Sequence, residues 1–149
     1  MAETLLAPKL IDSLYVEAML LADEARAYFD RNGRDDRDGL DPLVRVGFSC
    51  ESLKVTTRLM HVIAWLLTQR AVRAGEISAE NSRSRSRRLG EAPESDSALV
   101  ERLPGAARGL IQASRELYAR VQRLDHGHDV HGPQASPARS LLSRLERSL

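Results

Sequence analysis

The chain has 149 residues, 42% of them hydrophobic and 4% aromatic, and its formal net charge is +1. This length suits one ordinary domain with an aliphatic core. So small a net charge excludes a large field of one sign for recruiting nucleic acid or an anionic membrane. The longest uncharged run, residues 59–69, falls well short of the roughly 18 residues that indicate a membrane span.

The first predicted helix begins near Pro8, because proline suits the first helical position. Apolar residues follow at spacings of three and four from Ile11 to Phe29. Asn32 and Gly33 end the helix, since both tolerate the left-handed conformation of a C-terminal cap. The charged residues after Gly33 are predicted to form a solvated loop.

The second predicted helix begins at Asp41 and Pro42, a capping carboxylate followed by proline. It ends near Gly75, and Gly47 marks either a kink or a fresh start. Its middle, residues 59–67, is apolar on nearly every side, so several neighbours must cover it. We expect a long central helix with apolar surface left over for a second subunit.

The rest of the bundle follows a break in the chain. Residues 78–97 are polar and charged, which predicts a mobile connector. A third helix starts around residues 99–104 and runs to about residue 124. The small residues Gly105 and Gly109 share one face of it, which predicts tight packing on helix two or on a symmetry mate. We therefore expect an all-α three-helix bundle over residues 1–125 that forms a homodimer.

Residues 126–149 are predicted to form a flexible tail. Within it, residues 137–149 can form a short amphipathic helix with Leu141, Leu142 and Leu145 on its apolar edge. A helix of about a dozen residues is marginal alone in water, so we expect it to fold by docking on a partner.

Two polar motifs offer alternative functions. His126, His128 and His131 could bind zinc or nickel, but their segment contains glycine and proline and no second ligand group is evident, so no metal site is predicted. The run that begins at Arg83 and ends at Arg88 could bind nucleic acid, but acidic residues flank it and aromatic residues are absent from it. A solvated loop is the favoured interpretation, with nucleic-acid binding as the alternative function.

Residue patterns that indicate an enzyme are missing from the sequence. There is no phosphate-binding glycine loop, no H-E-x-x-H and no G-x-S-x-G. The single cysteine, Cys50, cannot form an internal disulfide, and the N-terminus lacks the features of a signal peptide. We expect a cytoplasmic protein with no catalytic residues and no cofactor.

The central segment, ESLKVTTRLMHVIAWLLTQRAVRAGEIS at residues 51–78, followed by Arg88, Leu89 and Gly90, resembles the RcdA family of bacterial regulators of CtrA degradation. The resemblance implies a cytoplasmic three-helix bundle that dimerises and acts as an adaptor. Such proteins bind a primed ClpXP protease through a response-regulator-like partner and deliver cargo, including cell-cycle transcription regulators. Their flexible C-terminal tails are tied to delivery.

Helix geometry sorts the matching positions into two groups. Arg58, Trp65, Gln69 and Arg73 lie on one strip at spacings of seven, four and four. This composition is enriched at interaction hot spots, so we predict that the strip and the tail leucines contact partners. The second group is assigned to the core or the dimer interface and comprises Leu59, Ile63, Leu66, Leu67, Gly105 and Gly109.

Overall fold

The computed structural model describes residues 2–130 and residue 146. Three long helices dominate it, joined by shorter helical turns. The helices are α1 (Ala2–Ala27), α2 (Arg34–Asp38), α3 (Pro42–Arg73), α4 (Ala79–Ser82), α5 (Ser97–Val100) and α6 (Gly105–Val130). The described residues contain no strand, which confirms the all-α prediction. No helix among them is long and apolar enough to cross a membrane.

Contacts between helix ends define the topology. Near its start α1 meets the end of α3, where Arg73 donates to Asp12, and Phe29 beyond the end of α1 packs on Phe48 near the start of α3, with ring centroids 5.3 Å apart. These two helices are therefore antiparallel. By contrast α6 runs parallel to α3, because later residues of one meet later residues of the other along the pair.

This parallel arrangement dictates the path of the chain between α3 and α6. Residues 74–104, which we call the crossover, return along the length of the bundle before α6 begins. Its residues meet α3 in reverse order, with Gly90 beside His61, Pro93 beside Arg58 and Leu99 over Gly47. The crossover thus forms a fourth layer on the α3/α6 pair.

The core lies between the three long helices. Its fully or almost fully buried side chains are Leu14, Ala18 and Ala25 of α1, Val44, Phe48, Val55, Leu59, Val62, Trp65 and Leu66 of α3, Leu103 at the end of the crossover, and Ala107, Leu110, Ile111, Leu117 and Val121 of α6.

The predicted bounds of the central helix are confirmed. Pro42 lies in its first turn, and Gly75, with φ +78°, follows its end. Asp41 is the N-cap residue, but its carboxylate makes no capping hydrogen bond. No break occurs at Gly47, where the absence of a side chain admits Leu99 instead. The helix therefore spans 32 residues without interruption.

Other predicted bounds were wrong. Proline tolerates the first turn of a helix, yet Pro8 lies inside α1, which begins at Ala2. At Gly33 φ is −92°, so no left-handed cap ends this region; a π-helical turn, Tyr28–Asn32, continues α1 instead. Residues 34–38 form α2 rather than a loop, although none of its residues is buried. The third helix continues beyond residue 124 as far as Val130.

Candidate protein-interaction site

The central helix α3 carries two apolar faces. Opposite the core lies a row of large apolar side chains with exposed fractions between 46% and 85%. We call it the α3 stripe, and its members are Leu43, Val46, Leu53, Met60 and Leu67. Exposed apolar rows of this kind indicate an interaction surface.

The α3 stripe follows a seven-residue register. Val46, Leu53, Met60 and Leu67 are each seven residues apart, and Leu43 lies three residues before the first of them. In a coiled-coil register these four residues all occupy d positions, and Leu43 occupies the a position before the first of them. From the first member to the last the stripe is about 36 Å long, at about 1.5 Å per residue. One face of α3 can therefore receive another helix along most of its length.

A polar network joins α3 to the crossover and to α6. The guanidinium of Arg58, whose residue is 3% exposed, donates to Ser114 Oγ at 3.2 Å, to the Pro93 carbonyl at 3.1 Å and to Ser95 Oγ at 2.7 Å. Ser95 in turn donates to Glu51, which is fully buried and also accepts from Lys54 at 2.8 Å. Burial lowers the pKa of Arg58, and the nearby Glu51 carboxylate opposes that shift.

A second network lies about two turns further along α3. Trp65 Nε1 donates to Asp125 Oδ1 at 2.9 Å, and the Arg88 guanidinium donates to both carboxylate oxygens of Asp125, at 2.8 and 3.0 Å. Burial by itself raises the pKa of Asp125, but the hydrogen bonds from Arg88 and Trp65 outweigh it, so the pKa of this carboxyl is lowered from its ordinary value. The carboxylate therefore holds α3, the crossover and α6 together as a charged group.

The predicted partner strip is divided by the structure. Arg58 and Trp65 are buried in contacts within the chain, with exposed fractions of 3% and 4%. Gln69 is half-buried, and its Nε2 finds no hydrogen-bond partner among the residues that the structure describes. Arg73 is exposed and donates to Asp12 and to the Pro8 carbonyl. Contact of the strip with a partner stays a prediction. Arg58 and Trp65 could contact a partner protein only if the crossover moved away from them.

The residues assigned to the core or dimer interface also divide. Leu59 and Leu66 lie in the core, Ile63 is half-buried against it, and Leu67 belongs to the exposed α3 stripe. Gly105 and Gly109 are exposed. A Cβ placed on Gly109 would meet no atom of the described residues within 4 Å, so the first of the two expected packing partners, helix two, does not cover this position. Its contact with a symmetry mate stays a prediction.

The arginine run and the histidines, which suggested the alternative functions, differ in how far the structure describes and buries them. Arg83, Arg85 and Arg87 are exposed, whereas Arg88 at the end of the run is engaged by Asp125. Within the described part of the chain, no cluster of three potential metal ligands occurs. His126 is exposed at the side of α6. His131 and the tail leucines, Leu141, Leu142 and Leu145, lie outside the described residues, and the side chain of His128 is outside the described part of the chain as well.

Comparison with known proteins identifies the family. Residues 2–149 match the family described as "Protein of unknown function (DUF1465)". The chain belongs to this family. The crystal structure of RcdA from Caulobacter crescentus CB15 is similar, with 40% sequence identity and a TM-score of 0.67, over 84% of this chain and 96% of that one. The resemblance to RcdA is thereby confirmed. No curated protein matches the chain.

The two buried polar networks of this DUF1465 structure were not predicted from the sequence. The predicted third helix ends at about residue 124, before Asp125, but Asp125 is 3% exposed inside α6. Glu51 and Ser95 were not singled out. A buried polar residue carries no periodic signal of its own, and the apolar spacing of this helix stops at Leu124, so the spacing did not extend the predicted helix to Asp125.

Proposed function

We propose that this DUF1465 protein is a non-catalytic, cytoplasmic adaptor in regulated proteolysis. In this role it links a primed ClpXP protease and a response-regulator-like partner to cargo such as cell-cycle transcription regulators. The exposed α3 stripe is the observation that supports a protein-binding role. The similarity to RcdA supports the choice of pathway.

We further propose that the α3 stripe forms the homodimer interface. A seven-residue apolar repeat suits a second helix of the same kind, because identical stripes can supply both the knobs and the holes of the seam. Cys50 lies between Val46 and Leu53, at the a position of the same register, and its side chain is exposed in the single chain.

Sedimentation equilibrium tests this interface. Leu53→Glu introduces a charge at the centre of the α3 stripe and should convert the dimer to a monomer. The matched control is Leu20→Glu on α1, because Leu20 and Leu53 are both 66% exposed but only Leu53 lies in the register. In the dimer, Cys50 should also react more slowly with a thiol reagent than in Leu53→Glu.

A reconstituted degradation assay tests the adaptor role. Protease, priming partner and a cell-cycle regulator are combined with and without this protein, and cargo loss is followed over time. We expect degradation to require the wild-type chain and to be reduced by Leu53→Glu but not by Leu20→Glu. Cargo loss at the same rate without the protein would contradict the adaptor role.

The tail requires a separate variant. Deleting residues 137–149 should leave the dimer intact and abolish cargo delivery, because the tail leucines are proposed to contact a partner. Unchanged delivery by this truncated chain would remove the tail from the proposal and leave the bundle as the binding element.

A further inference from the structure

Part of the crossover lies in a groove between α3 and α6 and is held there by its main chain. We call this part, residues 88–95, the strap. Tyr118 Oη donates to the Gly90 carbonyl at 2.7 Å, and Arg58 donates to the Pro93 carbonyl at 3.1 Å. Carbonyl groups are common to all peptides, so these two donors fit any extended segment of suitable shape.

Charged contacts near the two ends of the strap specify side-chain chemistry. At one end Arg88 forms its two-pronged contact with Asp125. Six residues later Glu94, whose side chain is 89% exposed, lies 3.9 Å from Arg115, so this second contact is a surface pair and weaker than the first. The groove therefore presents a carboxylate to a basic side chain and a guanidinium to an acidic side chain six positions further along.

Apolar anchoring of the strap is slight. Residues 89–96 adopt no regular secondary structure, and Leu89, the one large apolar side chain among them, is half-buried. A cavity of about 510 Å³ adjoins the strap and is lined by Gln112, Arg115 and Tyr118 among others. Segments with few buried apolar contacts open at a lower free energy than core helices, and opening of the strap must also break its hydrogen bonds to the buried Arg58 and Glu51. The cavity gives an incoming chain room beside the strap.

We propose that this groove binds an extended peptide of a partner protein, with a basic residue six positions before an acidic one, and that the strap competes for the same groove. This inference rests on the protein-binding role proposed above and is independent of the proteolytic pathway. It explains how Arg58 could meet a partner, since displacing the strap uncovers the guanidinium that now donates to Pro93 and Ser95.

Fluorescence anisotropy with the purified full chain tests the inference. The probe is a labelled peptide of residues 86–97, SRRLGEAPESDS. Arg88→Ala weakens the strap in the protein and should tighten probe binding about 10-fold or more, because it raises the fraction of open grooves. Arg87→Ala is the matched control, since Arg87 is exposed, and should bind like the wild type.

Two further variants locate the probe. Adding Tyr118→Phe to Arg88→Ala should weaken binding again, because it removes the donor to the main-chain carbonyl. A probe with alanine in place of its second arginine should also bind less tightly, because it cannot pair with Asp125. Circular dichroism of each variant establishes that the helices remain folded.

Three outcomes would overturn the inference. The first is equal probe affinity for Arg88→Ala, Arg87→Ala and the wild type. The second is hydrogen exchange in which the strap amides are as protected as those of α3, since such a strap opens only with global unfolding. The third concerns the double variant Arg88→Ala, Leu53→Glu. If it still forms a dimer, and if adding the probe dissociates that dimer, the groove binds the strap of a second copy and not a partner peptide. None of these measurements needs the protease, so the adaptor role is tested independently.

Discussion

Removal of the buried Arg58 guanidinium should be one of the most destabilising single changes in this chain. Arg58→Ala removes three hydrogen bonds, leaves the Pro93 carbonyl without its donor and takes a positive charge from the vicinity of the fully buried Glu51. Breaking a buried charged network by truncating one partner costs about 3–5 kcal/mol. Domains are stable by only about 5–15 kcal/mol, so a large fraction of the unfolding free energy is at stake.

The assay is thermal unfolding followed by circular dichroism, with chemical denaturation as a second measurement. At about 2–4 °C per kcal/mol for a chain of this size, the melting temperature should fall by about 6–20 °C. Arg73→Ala is the matched control. Arg73 also lies on α3 and also makes three hydrogen bonds, but its side chain is 36% exposed, and surface pairs of this kind contribute little.

Equal melting temperatures for the two variants would refute the reasoning, because the number of hydrogen bonds would then matter and their burial would not. A double-mutant cycle with Ser95→Ala separates the contribution of the crossover. We expect a coupling free energy of about 0.5–3 kcal/mol between Arg58 and Ser95, because they are hydrogen-bonded neighbours in one network.

Three further predictions follow from single contacts. The Asp125 pKa is lowered in the folded chain, so its stabilisation is complete above pH 3.8 and is lost as the pH falls through the lowered value; Asp125→Asn should lack this part of the acid dependence in denaturation measured from pH 5 downward. Gly47→Ala places a Cβ in steric conflict with Leu99 Cδ2 and should lower the urea midpoint, with partial recovery when Leu99→Ala is added. An unchanged midpoint would mean that Leu99 moves aside without cost. Gly109→Ala meets open space and should stabilise the helix by about 1 kcal/mol, whereas a lower melting temperature would show that another chain packs on this face.

Local rules predicted the long helices and the bounds of α3. Apolar spacing, proline at a helix start and glycine after a helix end act within a few residues, so Pro42 and Gly75 could be read without knowledge of the fold. Local rules failed at Gly33, where a π-helical turn replaced a glycine cap. They also failed for residues 34–38, because a short polar helix has no apolar periodicity.

By itself the sequence determined that the chain is helical, that its central helix is apolar on opposite sides and that it resembles RcdA. Only the tertiary structure decided which apolar side of α3 faces the core and that α6 runs parallel to α3. It also decided that Arg58, Trp65 and Asp125 are buried. The physical reason is sequence separation, since Arg58 meets Ser114 across 56 positions and Trp65 meets Asp125 across 60. Contacts at such separations leave no periodic pattern in the residues that make them.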